Sequence, residues 1–137
     1  MIFTALEKRL LHSRGGTIGG WIAGGVPVLL LTTTGRRTGR RRSTPLLFHR
    51  EADGSFLLIA ANGAADWNPD WFYNLEANAE AQVEVDGERI EVVASVLSDS
   101  ERNLVWEVAL RAFPSLGPAQ RATKRDIPLV RLAARPS

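Results

Sequence analysis

The stretch Val83-Glu84-Val85-Asp86-Gly87-Glu88-Arg89-Ile90-Glu91-Val92 leaves the centre of this chain little choice of fold. Val83 and Val85, then Ile90 and Val92, alternate with charged residues on the two sides of Asp86-Gly87, and that dipeptide is a hairpin turn signal. Residues 80–86 and 88–97 therefore read as antiparallel strands with one face buried. Four more candidates, 27–33, 43–50, 55–61 and 127–133, are strand-length apolar runs, and Ala52-Asp53-Gly54-Ser55 supplies another turn.

Two helices interrupt the strands. One is expected to start at Asn68-Pro69, with Asn68 as N-cap and Pro69 at the first helical position, and to run through Trp71-Phe72-Tyr73-Asn74-Leu75. The other is announced by the capping box Ser98-Asp99-Ser100-Glu101 and continues to about Ala112, with Leu104, Val105, Val108 and Ala109 on its buried side and Pro114 stopping it. Six short strands with inserted helices define a mainly β protein, a small antiparallel barrel.

At 137 residues the chain is one domain by length, and 45% hydrophobic with 23% charged residues is ordinary for a soluble globular protein. Residues 26–137 carry every strand candidate. Residues 1–25 stand apart: 2–14 place Phe3, Leu6, Leu10 and Leu11 near helical spacing, and 15–25 hold six glycines, a connector. The amphipathic helix either packs on the domain or rests as a basic face on a membrane surface. No signal peptide or membrane span is indicated, so the expected location is the cytoplasm, with the inner membrane face as the variant.

The absence of cysteine excludes disulfides, thiolate nucleophiles and Cys-based zinc sites, and His12 and His49 alone cannot build a histidine-rich metal site. No H-E-x-x-H, G-x-S-x-G, P-loop or dinucleotide G-x-G-x-x-G pattern occurs, so no residue is assigned as catalytic and no metal is expected. Any reaction would then be carried by a bound cofactor.

Thr32 to Leu47, TTTGRRTGRRRSTPLL, concentrates five arginines in seven residues (Arg36, Arg37, Arg40, Arg41, Arg42) between apolar runs that read as strands. Glycine permits the turn and guanidinium forks grip phosphate or carboxylate oxygens, so this loop is shaped for a polyanion. The formal net charge is only +2, which makes the basic character local, and aromatic residues do not interleave with the arginines. A small anion thus fits better than nucleic acid. A second stretch, Ala60-Ala61-Asn62-Gly63-Ala64-Ala65-Asp66-Trp67-Asn68-Pro69-Asp70-Trp71-Phe72-Tyr73-Asn74-Leu75, puts small residues at a strand end before an aromatic helix start, suited to a flat ring.

Together, TTTGRRTGRRRSTPLLF, AANGAADWNPDWFYNLEAN, VEVDGERIEVVA and RDIPLVRL resemble the deazaflavin-dependent nitroreductase family over roughly Val28 to Leu132. The resemblance implies a split β-barrel of the FMN- and F420-binding type and hydride transfer from reduced coenzyme F420 to a quinone-like or nitroaromatic acceptor. It assigns Arg36, Arg37, Arg42, Pro45, Leu46 and Leu47 to the phosphate and acidic tail, and Ala61, Asn62, Gly63, Pro69, Trp71 and Asn74 to the deazaflavin. A phosphodiester followed by glutamate carboxylates matches a five-arginine loop better than the single phosphate of FMN. Relatives bring tyrosines to the acceptor from the region before the last strand; Phe113-Pro114-Ser115-Leu116-Gly117-Pro118 has none, which puts Phe113 and Leu116 on the acceptor side and favours an apolar quinone. The alternative is a non-catalytic carrier of F420 or an apolar ligand on the same barrel.

Overall fold

The structure, a computed structural model, describes the backbone of Ile22–Ala23 and residues 26–136. In chain order the strands are β1 (Ile22–Ala23), β2 (Val26–Thr34), β3 (Arg41–Leu47), β4 (His49–Arg50), β5 (Phe56–Ile59), β6 (Glu80–Val85), β7 (Glu88–Val96) and β8 (Leu129–Ala134). The helices are α1 (Asp70–Ala77), α2 (Asp99–Ala112) and α3 (Leu116–Ala122), with one short turn of positive φ at Asn62–Ala64 among the described residues. The helix expected over 2–14 and most of the connector lie outside the described residues. Within the connector, Ile22 and Ala23 pair back on Pro27 and Val26.

The sheet is antiparallel throughout and runs β2-β6-β7-β8-β5-β4, with β3 on the other edge of β2. The expected strand 43–50 is one bent strand: the Phe48 N–H leaves the ladder to donate to Pro27 O at 3.1 Å. Residues before the bend pair with β2 and residues after it with β5, which brings the two ends of the order together into a curled barrel. The 83–92 hairpin forms as the alternation dictates, Val83 opposite Ile90 and Val85 opposite Glu88, with Asp86 (φ 51°) and Gly87 (φ 77°) in the left-handed turn that a two-residue hairpin needs.

Both faces of β5 are buried. Phe56 and Leu58 join Leu29, Leu31, Val83, Val92, Val130 and Leu132, with Phe72 and Leu75 of α1, in the larger core. Leu57 packs with Leu129, Ala109, Phe113, Leu116 and Ile127 in a second core under α2 and α3. Each of the enclosed Leu, Ile, Val and Phe side chains contributes about 1.5–3 kcal/mol by leaving water.

Two helix expectations are corrected. Pro69, not Asn68, is the N-cap of α1, because Asn68 is drawn to other partners: its N–H donates to Tyr73 Oη (3.0 Å) and its Oδ1 accepts from Arg125 Nη1 (2.6 Å). On α2 the buried stripe is rotated from the expected one. Leu104 (83% exposed) and Val108 face outward, and Arg102, Val105, Trp106 and Ala109 face the sheet. Arg102 takes an inner position because its guanidinium lies 4.2 Å over the Trp106 ring and donates to Ile127 O (3.1 Å) and Gln120 Oε1 (3.1 Å). The short helix α3 escaped the sequence reading because it contains Gly117 and Pro118; the proline sits in its first turn, where a missing N–H costs nothing.

Ser98 caps α2 as its motif requires: its hydroxyl accepts from Glu101 N (3.3 Å) while Glu101 Oε1 accepts from Ser98 N (3.0 Å). That reciprocal bond holds the Glu101 carboxyl below its ordinary value of 4.5. A depressed carboxylate stabilises the fold above its ordinary value and loses that contribution as pH falls through the folded value. Replacing Ser98 by Ala should cost about 1 kcal/mol near neutral pH, read from urea midpoints. The difference from the parent should narrow on acidification below pH ~4; a constant difference would separate Glu101 from the cap.

Candidate functional site

The arginine loop between β2 and β3 is closed by its own backbone. Gly35 N donates to Arg40 O (2.7 Å), Gly39 N to Gly35 O (2.8 Å), and Arg40 N to Thr38 Oγ1 (3.1 Å). Gly39 has φ 74°, and a Cβ on Gly35 would stand 3.0 Å from both Arg40 O and Thr38 Oγ1, so both positions require glycine.

Four of the five arginines then divide by what holds their side chains. Arg36 is fastened to α1: its N–H and Nη1 both donate to Asn74 Oδ1 (3.1 and 3.0 Å), its Nη2 pairs with Asp70 Oδ1 (3.3 Å), and its guanidinium lies 5.2 Å from the Tyr73 ring centre. Asn74 is buried and spends its amide on Thr33 Oγ1 of β2 (3.1 Å), so one side chain ties strand, loop and helix. Arg41 turns to the opposite face of the sheet and donates to Gln82 Oε1 on β6 (3.0 Å). Arg37 and Arg42 are exposed, and their guanidinium groups make no hydrogen bond or ion pair among the described residues.

A cavity of about 750 Å³ opens beside this loop. All twelve residues assigned to the cofactor from sequence line it: Arg36, Arg37, Arg42, Pro45, Leu46, Leu47, Ala61, Asn62, Gly63, Pro69, Trp71 and Asn74. Its polarity is graded. Arg42 pairs with Thr33 at one end of β3 and Leu47 with Val28 at the other, a span of about 17 Å at the rise of an extended strand. Leu47, Ile59 and Ala61 all pack against the second core, so the far end is walled by Val28, Leu47, Ile59 and Ala61. The cationic end therefore suits an anionic tail and the apolar end a flat ring. Among the lining residues Asp70 is the only carboxylate, and histidine, lysine and tyrosine are missing.

The acceptor-side expectation fares differently. Phe113 and Leu116 have no exposed surface and sit in the second core with Leu57, Leu129 and Ile127, because α3 folds back on α2 and turns both inward. Ser115, the residue between α2 and α3 that does line the cavity, went unremarked in the sequence as a lone serine.

Arg125 was also missed. From the segment between α3 and β8, its Nε donates to Ala65 O (2.8 Å), Nη1 to Asn68 Oδ1 (2.6 Å), and Nη2 to Ala60 O (3.1 Å) and Ala61 O (2.7 Å). Burial lowers its pKa from the ordinary arginine value, partly offset by Tyr73 and Asp66. It opens the RDIPLVRL motif, but its partners lie about sixty residues away, so the motif alone assigned it no role.

Comparison with known proteins fits this geometry. The family model of the F420H(2)-dependent quinone reductases matches residues 5–133. An F420H(2)-dependent quinone reductase of Mycobacterium tuberculosis is 32% identical over 133 residues, 95% of this chain and 89% of its own. Among solved structures, an F420-H2 dependent reductase superimposes with TM-score 0.72 at 28% identity, covering 85% of this chain and 97% of that one. A domain-swapped dimer matches with TM-score 0.72 at 29% identity over 93% and 94%. The heme storage protein HutZ of Vibrio cholerae, at 19% identity and TM-score 0.53 over 98% and 93%, shares the fold. The barrel is thus of the split type that serves reductases using flavin-like cofactors. The chain belongs to the F420H(2)-dependent quinone reductase family, and F420 is the cofactor that membership gives it.

Removing the Asn74 side chain strips Thr33, the Arg36 N–H and the Arg36 guanidinium of a shared partner at a buried site. Asn74→Ala should lower unfolding free energy by about 1–3 kcal/mol in urea titrations. An unchanged midpoint would show that water replaces the amide at no cost.

Proposed function

We propose that this cavity binds F420 with the anionic tail on Arg37 and Arg42 and the deazaflavin between the apolar strand residues and the Asn62–Gly63 turn, and that the protein reduces a flat quinone-like acceptor. The graded cavity carries this reading: two guanidinium groups without hydrogen-bond or ion-pair partners among the described residues at one end, an apolar wall about 17 Å away at the other. The residues present fit the group, because the donors are arginine forks suited to phosphate and carboxylate and the wall is apolar and shallow-sided.

Reduced F420, when bound, supplies the hydride for a two-electron reduction. The protein's residues bind and orient. Arg36, already held by Asp70 and Asn74, keeps the loop at a fixed distance from α1, and Arg37 and Arg42 meet the tail. Val28, Pro45, Leu47 and Trp71 exclude water from the ring end, where charge interactions strengthen. Asp70, the one carboxylate among the described lining residues, is 91% exposed and paired with Arg36, so the proton for the acceptor is assigned to solvent. With Phe113 and Leu116 enclosed, the acceptor meets Ser115 and apolar surface, a pocket that selects by shape and favours quinones over nitroaromatics.

Arg37→Ala and Arg42→Ala should each weaken F420 binding by roughly 10- to 150-fold, the value of about 1.5–3 kcal/mol for a charge-assisted contact, with an unchanged melting temperature. Fluorescence titration with F420, and with FMN as the single-phosphate comparison, measures this; equal affinity for the two cofactors would remove the polyanion argument. Stopped-flow oxidation of bound reduced F420 by menadione tests turnover. Tight binding without acceptor-dependent oxidation would make the protein a carrier.

A further inference from the structure

Asn62, Gly63 and Ala64 have φ values of 49°, 60° and 64°, three consecutive residues in the left-handed region, and two of the three are not glycine. Alanine is disfavoured there by contact of its Cβ with the backbone. Asn62 and Gly63 both line the cavity at its ring end. Local bonds shape the turn: Ala64 N to Ala61 O (2.9 Å), Ala65 N to Asn62 O (3.1 Å) and Asn62 Nδ2 to Trp67 O (3.1 Å). Besides Ala60 N to Pro128 O and Asn68 N to Tyr73 Oη, the hydrogen bonds that reach this segment from the rest of the described fold come from Arg125. A planar fork that meets Ala60, Ala61, Ala65 and Asn68 at once spans the turn from before its first residue to beyond its last.

Arg125 is itself held firmly. Gln120 Nε2 donates to Arg125 O (2.8 Å), while Gln120 Oε1 accepts from Ile127 N (2.9 Å) and Arg102 Nη2 (3.1 Å). The backbone from which the Arg125 side chain projects is thus tied, through Gln120, to α2 and α3.

We propose that Arg125 is a positioning residue for the ring end of the cavity: it holds Asn62 and Gly63 in the left-handed turn before any ligand arrives and so sets affinity for the ring independently of the anionic tail. The proposal rests on the reading that the cavity takes F420. A disordered wall must be ordered on binding, at a cost to affinity, and a preformed one need not be.

The full chain is compared with Arg125→Met, Arg125→Lys and Asn68→Ala, the last removing one acceptor of the fork and leaving the arginine in place. Two ligands are titrated by fluorescence, F420 and a 5-deazaflavin bearing the ribityl chain but no phosphate; amide hydrogen exchange is followed in parallel. Arg125→Met should weaken both ligands by the same factor, roughly tenfold or more, with faster exchange at residues 61–68 and unchanged exchange across β6 and β7. Arg125→Lys and Asn68→Ala should fall between it and the parent, since a point charge or a shortened fork keeps part of the contact. Loss confined to F420, or unchanged exchange at 61–68, would overturn the proposal. A global rise in exchange in Arg125→Met together with parent-like binding in the two milder variants would also overturn it, leaving Arg125 a stability residue. If the parent binds neither ligand, the F420 reading falls. Faster exchange confined to 61–68 in the variants would then still uphold Arg125 as the holder of the turn.

Discussion

Asn74 is the polar group on which the site depends. Its amide is buried between β2 and α1, where an unpaired donor or acceptor would cost about 1–3 kcal/mol, and it meets that demand by accepting twice from Arg36 and donating to Thr33. The consequence is geometric. An exposed, highly charged loop that would repel itself in isolation is locked at one arginine to a helix and at both ends to strands, and the remaining guanidinium groups are presented from a fixed base. Asp70 assists by neutralising Arg36 in part, but at 91% exposure its ion pair is screened and adds little. The buried amide, not the surface salt bridge, does the holding.

Much of this was legible in the chain. Alternation around Asp86-Gly87 predicted a hairpin because a period of two admits one buried face, and the Ser98 to Glu101 spacing predicted a cap because both partners lie within one turn. The twelve cofactor assignments came from two local motifs, and the fold brings both to one cavity because β3 and the segment after β5 meet at the bend near Phe48. What sequence could not show was long-range. The expected α2 stripe of Leu104, Val105, Val108 and Ala109 left out Trp106, which turns inward with Arg102 over its ring. Phe113 and Leu116 flank a proline and a serine in a stretch that looks like an exposed loop, and only the fold-back of α3 encloses them. Arg125 shares no pattern with the carbonyls it serves.

Arginine is put to two uses in this protein, and the difference is one of partners. Arg102, Arg125 and Arg131 are half-buried and spend their forks on the protein itself; Arg131, for example, grips Glu51 bidentately at 2.6 and 2.8 Å, which raises its own pKa and ties β8 to the turn before β5. Each replaces backbone or side-chain hydrogen bonds that a smaller residue would leave open, which is why a chain with lysine only at positions 8 and 124 keeps its planar donors inside the fold. Arg37 and Arg42 have the same chemistry and, among the described residues, no such partner.

That contrast has an electrostatic consequence for the order of events at the site. The exposed guanidinium groups of Arg37 and Arg42 line the cavity, where their field reaches an approaching polyanion over roughly 10 Å before salt screens it. The apolar end offers no such long-range pull, and its attraction begins only when surfaces touch and water leaves. Binding should therefore begin at the tail and finish at the ring. On the proposed binding of F420 a division of labour follows: loop arginines would govern capture and its salt dependence, while the walls around Leu47, Ile59 and the Asn62–Gly63 turn would govern how long and in what pose the ring stays.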